Sequence, residues 1–289
     1  MARALVVGGT RFIGRHLVTT LLARGVKVTV ATRGRTPDAF GDAVERVVVD
    51  RSAPASLRAG LGHGTWDVCF DQVCFNGDDA RAACEVLAGR VGRYVLTSSG
   101  VVYPVGAWRH AERAFDPTDH PEAAGDARGL GYEEGKRQAE RALFAAPPAS
   151  AAAVRLPMIL GADDFTRKLQ EVIAHARAGT PIPVCSADFM TNYLDVDEAA
   201  RFLCWVATTA VEGPINACSD DAISLRTLAG WVDDAAGTES TFDEGAWRAG
   251  LARLALPDSL MMDNARARGA GFDFTNLSAW LPALLGALA

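Results

Sequence analysis

The chain has 289 residues, of which 49% are hydrophobic and 22% are charged. This composition is typical of a folded globule and excludes a disordered chain, a collagen-like repeat or a coiled coil. Asp and Glu number 35 against 29 Lys and Arg, so the net charge is -6 and there is no overall positive field to hold a nucleic acid. We therefore expect a small-molecule partner and no nucleic acid.

The cysteines and the N-terminus bear on the cellular compartment. Six cysteines show neither Cys-x-x-Cys spacing nor the density of a disulfide scaffold, and five scattered histidines suggest no metal site. The chain opens without a charged leader, and no apolar run approaches the ~18 residues of a membrane span. These features predict reduced thiols, no metal, no membrane association and a cytoplasmic location.

The first thirty residues predict a strand, a glycine turn, a helix and a second strand. Ala4 to Val7 is a short apolar run, as in strands buried on both faces, and it stops at Gly8-Gly9. Apolar residues at helical spacing follow from Phe12, and Val26 to Ala31 forms the next strand. The crossover in such a unit is right-handed.

The alternation of strands and helices continues to about residue 157. Further strands are predicted at Arg46 to Val49, Trp66 to Val73, Arg93 to Thr97 and Ala151 to Leu156, and helices at Pro54 to Leu61, Asp78 to Ala88 and Tyr132 to Ala145. This order predicts an α/β fold with a Rossmann-type, doubly wound parallel sheet.

A different rhythm after Pro157 predicts a smaller mixed α/β C-terminal lobe. Its predicted elements are a helix from Phe165 to Ala178, short strands near Ile182 to Val184 and Pro214 to Ala217, and helices starting at Asp197, Ser224 and Glu244. Asp197 and Ser224 are the expected N-caps. We expect residues 1–157, with returning segments near 190–208, to form a nucleotide-binding domain, and residues 158–289 to form mainly a substrate-binding lobe.

The glycine turn between the first strand and the first helix predicts a diphosphate site. Its sequence is Gly8-Gly9-Thr10-Arg11-Phe12-Ile13-Gly14. Exposed main-chain N–H groups and the helix dipole favour an anion at this position. The alternative is a tight turn with a purely structural role.

The end of the second strand indicates which dinucleotide would bind. The acidic residue that would accept hydrogen bonds from an adenosine ribose 2′-hydroxyl is missing, and Arg33 and Arg35 follow Thr32 instead. A 2′-phosphate needs cations, which these residues and Arg11 could supply. The pattern favours NADP(H), with NAD(H) or a merely solvated basic loop as alternatives.

Tyr132 and Lys136 are four residues apart on a predicted helix, so both side chains share one face. The ammonium then favours phenolate over phenol, which turns the tyrosine into a usable proton donor and acceptor. Ser99 ends the fifth strand, at the carboxyl edge where open α/β sheets bind ligands. Its hydroxyl could hold a substrate oxygen, whereas a buried loop cap is the alternative.

The glycine turn, strand-end Ser99 and Tyr132-x-x-x-Lys136, in that order, resemble the short-chain dehydrogenase/reductase superfamily, and within it the extended, NAD-dependent epimerase/dehydratase-like branch. The segments Arg155-Leu-Pro-Met-Ile-Leu-Gly161 and Tyr193-Leu-Asp-Val-Asp197 are similar to further parts of that branch. The resemblance implies catalytic roles for Ser99, Tyr132 and Lys136. It also implies cofactor contacts from Gly8, Phe12, Ile13, Gly14, Asp50, Arg51, Val73, Tyr132, Lys136 and Pro157.

This sequence departs from the branch at three positions. Arg11 and Thr32 replace a usual Gly and Asp, which favours NADP(H), and Leu160 replaces a usual Tyr. Together with the short C-terminal lobe, these differences weaken the case for a nucleotide-sugar substrate.

The resemblance implies hydride exchange between NADP(H) and a carbonyl or alcohol carbon of a small metabolite, with Tyr132 as the acid or base. A nucleotide-sugar epimerase or dehydratase remains an alternative, as does a catalytically silent Rossmann sensor or nucleic-acid-binding protein. Substrate contacts are expected from the residues of the pattern-poor loop from Tyr103 to Gly131 and of the smaller lobe. They are Tyr103, Trp108, His110, Met190, Asn192 and Tyr193.

Related enzymes pair two of these helices into a four-helix dimer interface, and here they carry apolar positions beyond the needs of one sheet face. We therefore expect a homodimer through the helices near residues 78–88 and 132–145.

Overall fold

A computed structural model of the chain describes residues 1–106, 108–125, 127–244, 254 and 256–289. The helix predicted to start at Glu244 runs into residues outside this described part. The strands are β1 Arg3–Val7, β2 Lys27–Thr32, β3 Val44–Val48, β4 Trp66–Asp71, β5 Val91–Ser99, β6 Arg109–His110, β7 Ser150–Leu156, β8 Met158–Leu160, β9 Ile182–Pro183, β10 Met190–Thr191, β11 Tyr193–Asp195, β12 Gly213–Asn216, β13 Ile223–Ser224, β14 Phe242–Asp243 and β15 Met261–Met262. The helices are α1 Phe12–Ala23, α2 Pro54–Leu61, α3 Gly77–Leu87, α4 Tyr132–Ala145, α5 Lys168–Ala178, α6 Val196–Val206, α7 Leu225–Ala236, α8 Ala265–Gly269 and α9 Leu277–Leu288.

Seven parallel strands form the central sheet, in the order β12-β7-β5-β4-β1-β2-β3. The order runs outward from β1 in both directions, so ligands are expected beyond the carboxyl ends of the strands near β1. The four apolar residues of β1 are buried, as a strand covered on both faces requires. The predicted Rossmann-type fold is confirmed.

The chain divides into two units. Unit 1 comprises Met1–Val102, Glu112–Leu156 and Ala199–Asn216, and unit 2 comprises Tyr103–Ala111, Pro157–Glu198 and Ala217–Ala289. Unit 1 contains the seven-stranded sheet. In unit 2, α7 packs against both α5 and α9 around a separate apolar core. The nucleotide-binding and substrate-binding roles of the two domains stay predictions.

Two elements of the second half differ from expectation. The strand predicted near Pro214 to Ala217 was assigned to the smaller lobe, but as β12 it pairs with β7 at the edge of the central sheet. The helix predicted from Phe165 begins at Lys168. The reason is local: Arg167 has a left-handed backbone with φ 58°, and Asp164 accepts hydrogen bonds from the N–H and hydroxyl of Thr166.

One of the two predicted helix caps is wrong. The Asp195 carboxylate accepts the N–H groups of Asp197 (2.9 Å) and Glu198 (3.0 Å), so the first turn of α6 is capped from Asp195 and not from Asp197. The other cap is confirmed, because the Ser224 hydroxyl accepts the N–H of Thr227 at 3.0 Å.

An ion pair in the interior of unit 1 fastens α4 to the sheet. Glu140 of α4 and Arg155 of β7 both have 0% exposure, and Arg155 Nη2 lies 2.6 Å from Glu140 Oε2. Glu140 also accepts the Ser98 hydroxyl at the end of β5. Arg155 donates further to the carbonyls of Glu112 and Phe115, each at 2.9 Å. One buried pair therefore joins α4, two strands and the segment after residue 111.

The outer side of α3 is charged and partly covered by the chain itself. Its exposed residues include Asp78, Arg81 and Glu85, and Arg81 also reaches Glu122 at 3.0 Å. Gln138 of α4 is buried and donates to the carbonyl of Pro121 at 2.8 Å. The segment near residues 120–122 thus lies over part of the surface proposed for dimerisation, and the homodimer stays a prediction.

None of the helices in the described ranges is long and apolar enough to cross a membrane. The cytoplasmic location stays a prediction. All six cysteines lie in the described part of the chain, and none of them forms a disulfide. Burial raises the pKa of the Cys84 and Cys204 thiols to about 11, so these thiols stay protonated at neutral pH.

The buried pair gives a direct test of the fold. Glu140→Ala leaves the Arg155 guanidinium buried without its counter-ion, so we expect the free energy of unfolding in urea to fall by about 3–5 kcal/mol. Glu85→Ala is the control, because the Arg58–Glu85 pair is exposed and such pairs contribute less than about 1 kcal/mol. Equal small losses in both variants would show that the interior pair does not hold α4 in place.

Candidate cofactor and catalytic site

The turn between β1 and α1 accepts only glycine at two positions. Gly8 has φ +90°, and a Cβ on it would lie 2.6 Å from the Val73 side chain. A Cβ on Gly14 would lie 2.3 Å from the carbonyl oxygen of Gly8. The first turn of α1 therefore packs directly on the turn, so the helix N-terminus faces the carboxyl edge of the sheet. This cradle fits the diphosphate of a dinucleotide.

Other predicted residues of this turn sit around the start of α1. Thr10 and Ile13 are half-buried and Arg11 is exposed at the N-cap position. Phe12, the first helical residue, has φ 41°, a left-handed backbone that a non-glycine residue rarely adopts. Such strain is retained where the surrounding structure enforces it, often at a ligand site.

Two cations follow the carboxyl end of β2, and Asp50 follows the carboxyl end of β3. Arg33 and Arg35 are exposed on a turn that is held where Thr32 Oγ1 accepts the N–H of Gly34 at 3.2 Å. Hydrogen bonds from Ser52 hold the pKa of Asp50 below its ordinary value, and the charges of Arg33 and Arg35 lower it further. The three predicted residues Arg33, Asp50 and Arg35 are therefore electrostatic neighbours.

The Arg51 side chain is buried in unit 1 and bonded to groups of its interior. Its guanidinium pairs with Asp71 and donates to the carbonyls of Asp79 (2.7 Å) and Val73 (3.1 Å). Burial is the largest single influence and opposes the charge, but Asp71 and the other groups around the guanidinium together outweigh it, so the pKa of Arg51 is raised. Asp71 also accepts the Tyr94 hydroxyl. A cofactor contact from Arg51 stays a prediction, and its guanidinium is not the group that would make it.

Lys136 connects helix α4 to the ends of two strands. Its side chain is 2% exposed, and its ammonium donates to the carbonyls of Cys74 (2.8 Å) and Thr97 (2.9 Å). The Tyr132 ring lies 5.8 Å from this ammonium and is 49% exposed. The predicted pairing of Tyr132 with Lys136 is thus present, with the tyrosine on the accessible side.

Ser99 ends β5, two residues beyond Thr97, and is half-buried. Its Oγ accepts the N–H of Val101 at 3.4 Å, a long and weak hydrogen bond. Lys136 therefore anchors the same strand end that carries Ser99. That Ser99, Tyr132 and Lys136 act together stays a prediction.

Two residues of this region were not found from the sequence. Glu140 continues the spacing of Tyr132 and Lys136 by another four residues, and this repeat was the available signal. Phe75, just beyond β4, has a 50% exposed ring 5.1 Å from the Lys136 ammonium. Nothing in its local sequence distinguishes it from a core phenylalanine.

The predicted substrate residues of unit 2 differ in accessibility. Trp108 is 63% exposed and Met190 is half-buried, whereas Tyr103 is 2% exposed and stacks on His110 at 4.9 Å between ring centroids. Tyr193 is fully buried. The two tyrosines lie inside unit 2, and substrate contacts from all of these residues stay predictions.

Asn192 and Pro157 complete the predicted residues. The Asn192 amide donates to the carbonyls of Ser219 and Asp221 and accepts the N–H of Met262, so it holds three segments of unit 2 together. Both the nitrogen and the oxygen of the Asn192 amide therefore form hydrogen bonds within unit 2. Pro157 is half-buried directly after β7, and its cofactor contact stays a prediction.

The sequence profile of the NAD dependent epimerase/dehydratase family matches residues 4–218. The chain belongs to this family. The family resemblance seen in the sequence is thereby confirmed. The matched segment includes every residue of the glycine turn and Ser99, Tyr132 and Lys136.

Three relatives illustrate the range of the family. The chain is 29% identical to 2'-dehydrokanamycin reductase of Streptomyces kanamyceticus over 207 residues, covering 70% of this chain and 56% of that protein. It is 26% identical to the chloroplast stem-loop binding protein of 41 kDa b of Arabidopsis thaliana over 220 residues, covering 70% and 54%. The chain thus spans about half the length of these relatives. The UDP-glucose 4-epimerase of Thermus thermophilus, solved in complex with NAD, has the same fold with a TM-score of 0.73, 17% identity and coverage of 99% and 98%.

Proposed function

We propose that this chain is an NADP(H)-dependent reductase that converts a ketone of a small-molecule metabolite to an alcohol. The observation that carries the proposal is the pairing of an accessible Tyr132 with a buried Lys136 whose ammonium is fixed to the ends of β4 and β5. The glycine cradle of β1 lies in the same unit, next to β4 in the sheet.

The residues of unit 1 would hold the dinucleotide in a defined direction. The strand order places Arg33 and Asp50 at the ends of β2 and β3, the glycine turn at β1, and Lys136 at the ends of β4 and β5. A dinucleotide with its diphosphate at the turn would extend its 2′-phosphate towards the arginines and its nicotinamide towards Lys136. When bound, NADPH supplies the hydride that a carbonyl carbon requires.

The chain's own residues supply the proton and the positioning. The Tyr132 hydroxyl donates a proton to the substrate oxygen. Because the Tyr132 side chain is exposed, a substrate can bring its oxygen to this hydroxyl. Ser99 Oγ donates a hydrogen bond that orients the same oxygen. The Lys136 ammonium favours the phenolate that remains, and it keeps its place because two carbonyls hold it.

A reductase is favoured over the other outcomes of this chemistry by the similarity to the 2'-dehydrokanamycin reductase of Streptomyces kanamyceticus. We therefore place the substrate among polar ketones of the sugar or aminocyclitol type. Epimerisation of a nucleotide sugar, the activity named for the Thermus thermophilus neighbour, is the alternative within the family.

A second candidate is binding of a structured RNA, favoured by the similarity to a stem-loop binding protein. The net charge of -6 argues against it, because phosphate backbones are held by an excess of cations. A panel of keto-sugars and aminocyclitol ketones with NADPH separates the two. NADPH binding without turnover on the whole panel, together with salt-sensitive RNA binding, would favour the second candidate.

Cofactor preference depends on Arg33 if the proposal is correct. We expect NADPH to bind at least about tenfold more tightly than NADH, a difference of about 1.4 kcal/mol, and Arg33→Ala to erase most of it. Arg24→Ala is the matched control, because it removes an equal charge at the far end of α1. Fluorescence titration measures both affinities, and equal values in the unmodified protein would contradict NADP(H) preference.

The proton-transfer role of Tyr132 can be isolated by removing one oxygen atom. Tyr132→Phe should lower the rate of the chemical step by about 10²–10⁴-fold and leave NADPH affinity nearly unchanged. Tyr94→Phe is the control: it removes a buried hydroxyl bonded to Asp71, so stability should fall while turnover stays within about threefold. Near-normal turnover in Tyr132→Phe would mean that another group transfers the proton.

A further inference from the structure

Gln72 and Thr97 present polar atoms that the described residues do not satisfy. Both the Nε2 and the Oε1 of Gln72, and the Oγ1 of Thr97, are buried and have no hydrogen-bond partner in the described part of the chain. Thr97 is 7% exposed. Buried polar side chains are satisfied in the large majority of cases, so three such atoms together require an explanation.

Gln72 and Thr97 lie at the same carboxyl edge of the central sheet. Asp71 of β4 pairs with Leu96 of β5 in the last pair of this register, and Gln72 and Thr97 are the residues that follow these two towards the carboxyl edge. In parallel strands such neighbours project to the same face of the sheet. Gly8 occupies the same row on β1, because Val7 pairs with Asp71, and a Cβ on Gly8 would lie 3.4 Å from Gln72 Cβ. The row runs directly under the glycine turn.

The position of the row indicates which part of a dinucleotide it would face. Gln72 lies between the turn on β1 and strand β5, whose Thr97 carbonyl holds Lys136. The arginines lie on the opposite side of β1, just beyond the end of β2. A carboxamide and a hydroxyl both donate and accept hydrogen bonds, as do ribose hydroxyls and the nicotinamide carboxamide.

We propose that Gln72, assisted by Thr97, is a binding residue for the nicotinamide-ribose half of the cofactor. The inference rests on the proposed function only in its identification of the ligand as a nicotinamide dinucleotide. It predicts opposite effects on the free and bound protein. In the free protein, an apolar side chain at this position removes buried polar atoms without partners, so stability does not fall. In the complex, the same replacement removes hydrogen bonds to the cofactor, so affinity falls.

The test compares two ligands that share the 2′-phosphate end. NADP⁺ contains the nicotinamide ribose, whereas adenosine 2′,5′-bisphosphate does not. Gln72→Leu should weaken NADP⁺ about tenfold and leave the bisphosphate affinity within about twofold, and Thr97→Val should act in the same direction by about threefold. The melting temperature of both variants without ligand should equal or exceed that of the unmodified protein.

Gln170→Leu is the matched control, because Gln170 also has a buried, unsatisfied Oε1 but belongs to unit 2. It should leave both affinities unchanged. Unchanged NADP⁺ affinity in Gln72→Leu, or equal losses for both ligands, would overturn the proposal. A lower melting temperature in both Gln72→Leu and Gln72→Met would also overturn it, since the amide would then have an internal partner. If the unmodified protein binds neither ligand, the proposed function itself fails.

Discussion

The buried ammonium of Lys136 is the interaction on which the arrangement of unit 1 depends. A cation with 2% exposure must be satisfied by the protein, and here the Cys74 carbonyl beyond β4 and the Thr97 carbonyl near the end of β5 accept hydrogen bonds from it. One turn further along α4, Glu140 fastens the same helix to β5 and β7 through Ser98 and Arg155. Helix α4 is therefore fixed to the carboxyl edge of the sheet by two buried charges. Tyr132 is the first residue of this helix, so the two charges also fix the position of Tyr132.

The strand order gives the proposed dinucleotide site two different ends. Because β1 lies between β4 and β2, the glycine turn separates the Lys136 end from the arginine end. Each end has a different chemistry: an aromatic ring beside a buried ammonium on one side, and exposed guanidinium groups around Asp50 on the other. A molecule with a diphosphate in its middle matches this sequence of groups, and reversing it would place the 2′-phosphate away from the exposed cations.

Sequence patterns predicted most of unit 1 because its elements are encoded locally. The apolar run that ends at Gly8 specifies a buried parallel strand, and helices α2 and α4 have the predicted ends, residues 54–61 and 132–145. The features that sequence patterns did not predict are of another kind. The membership of β12 in the sheet, the commitment of the Arg51 side chain to Asp71 and the unsatisfied amide of Gln72 depend on residues far apart in the chain. Local sequence patterns do not predict such contacts. They also do not predict that Tyr103 and Tyr193 are buried.

The central claim is that a nicotinamide dinucleotide lies across the carboxyl edge of the sheet, in one direction, from the arginines to Tyr132. A crystal structure of the protein with NADP⁺ tests it most directly. The account predicts the diphosphate at the N-terminus of α1, the 2′-phosphate within hydrogen-bond distance of Arg33 or Arg35, and the nicotinamide ring beside Tyr132. A dinucleotide bound in the reverse direction, or with its 2′-phosphate in solvent away from both arginines, would contradict the account.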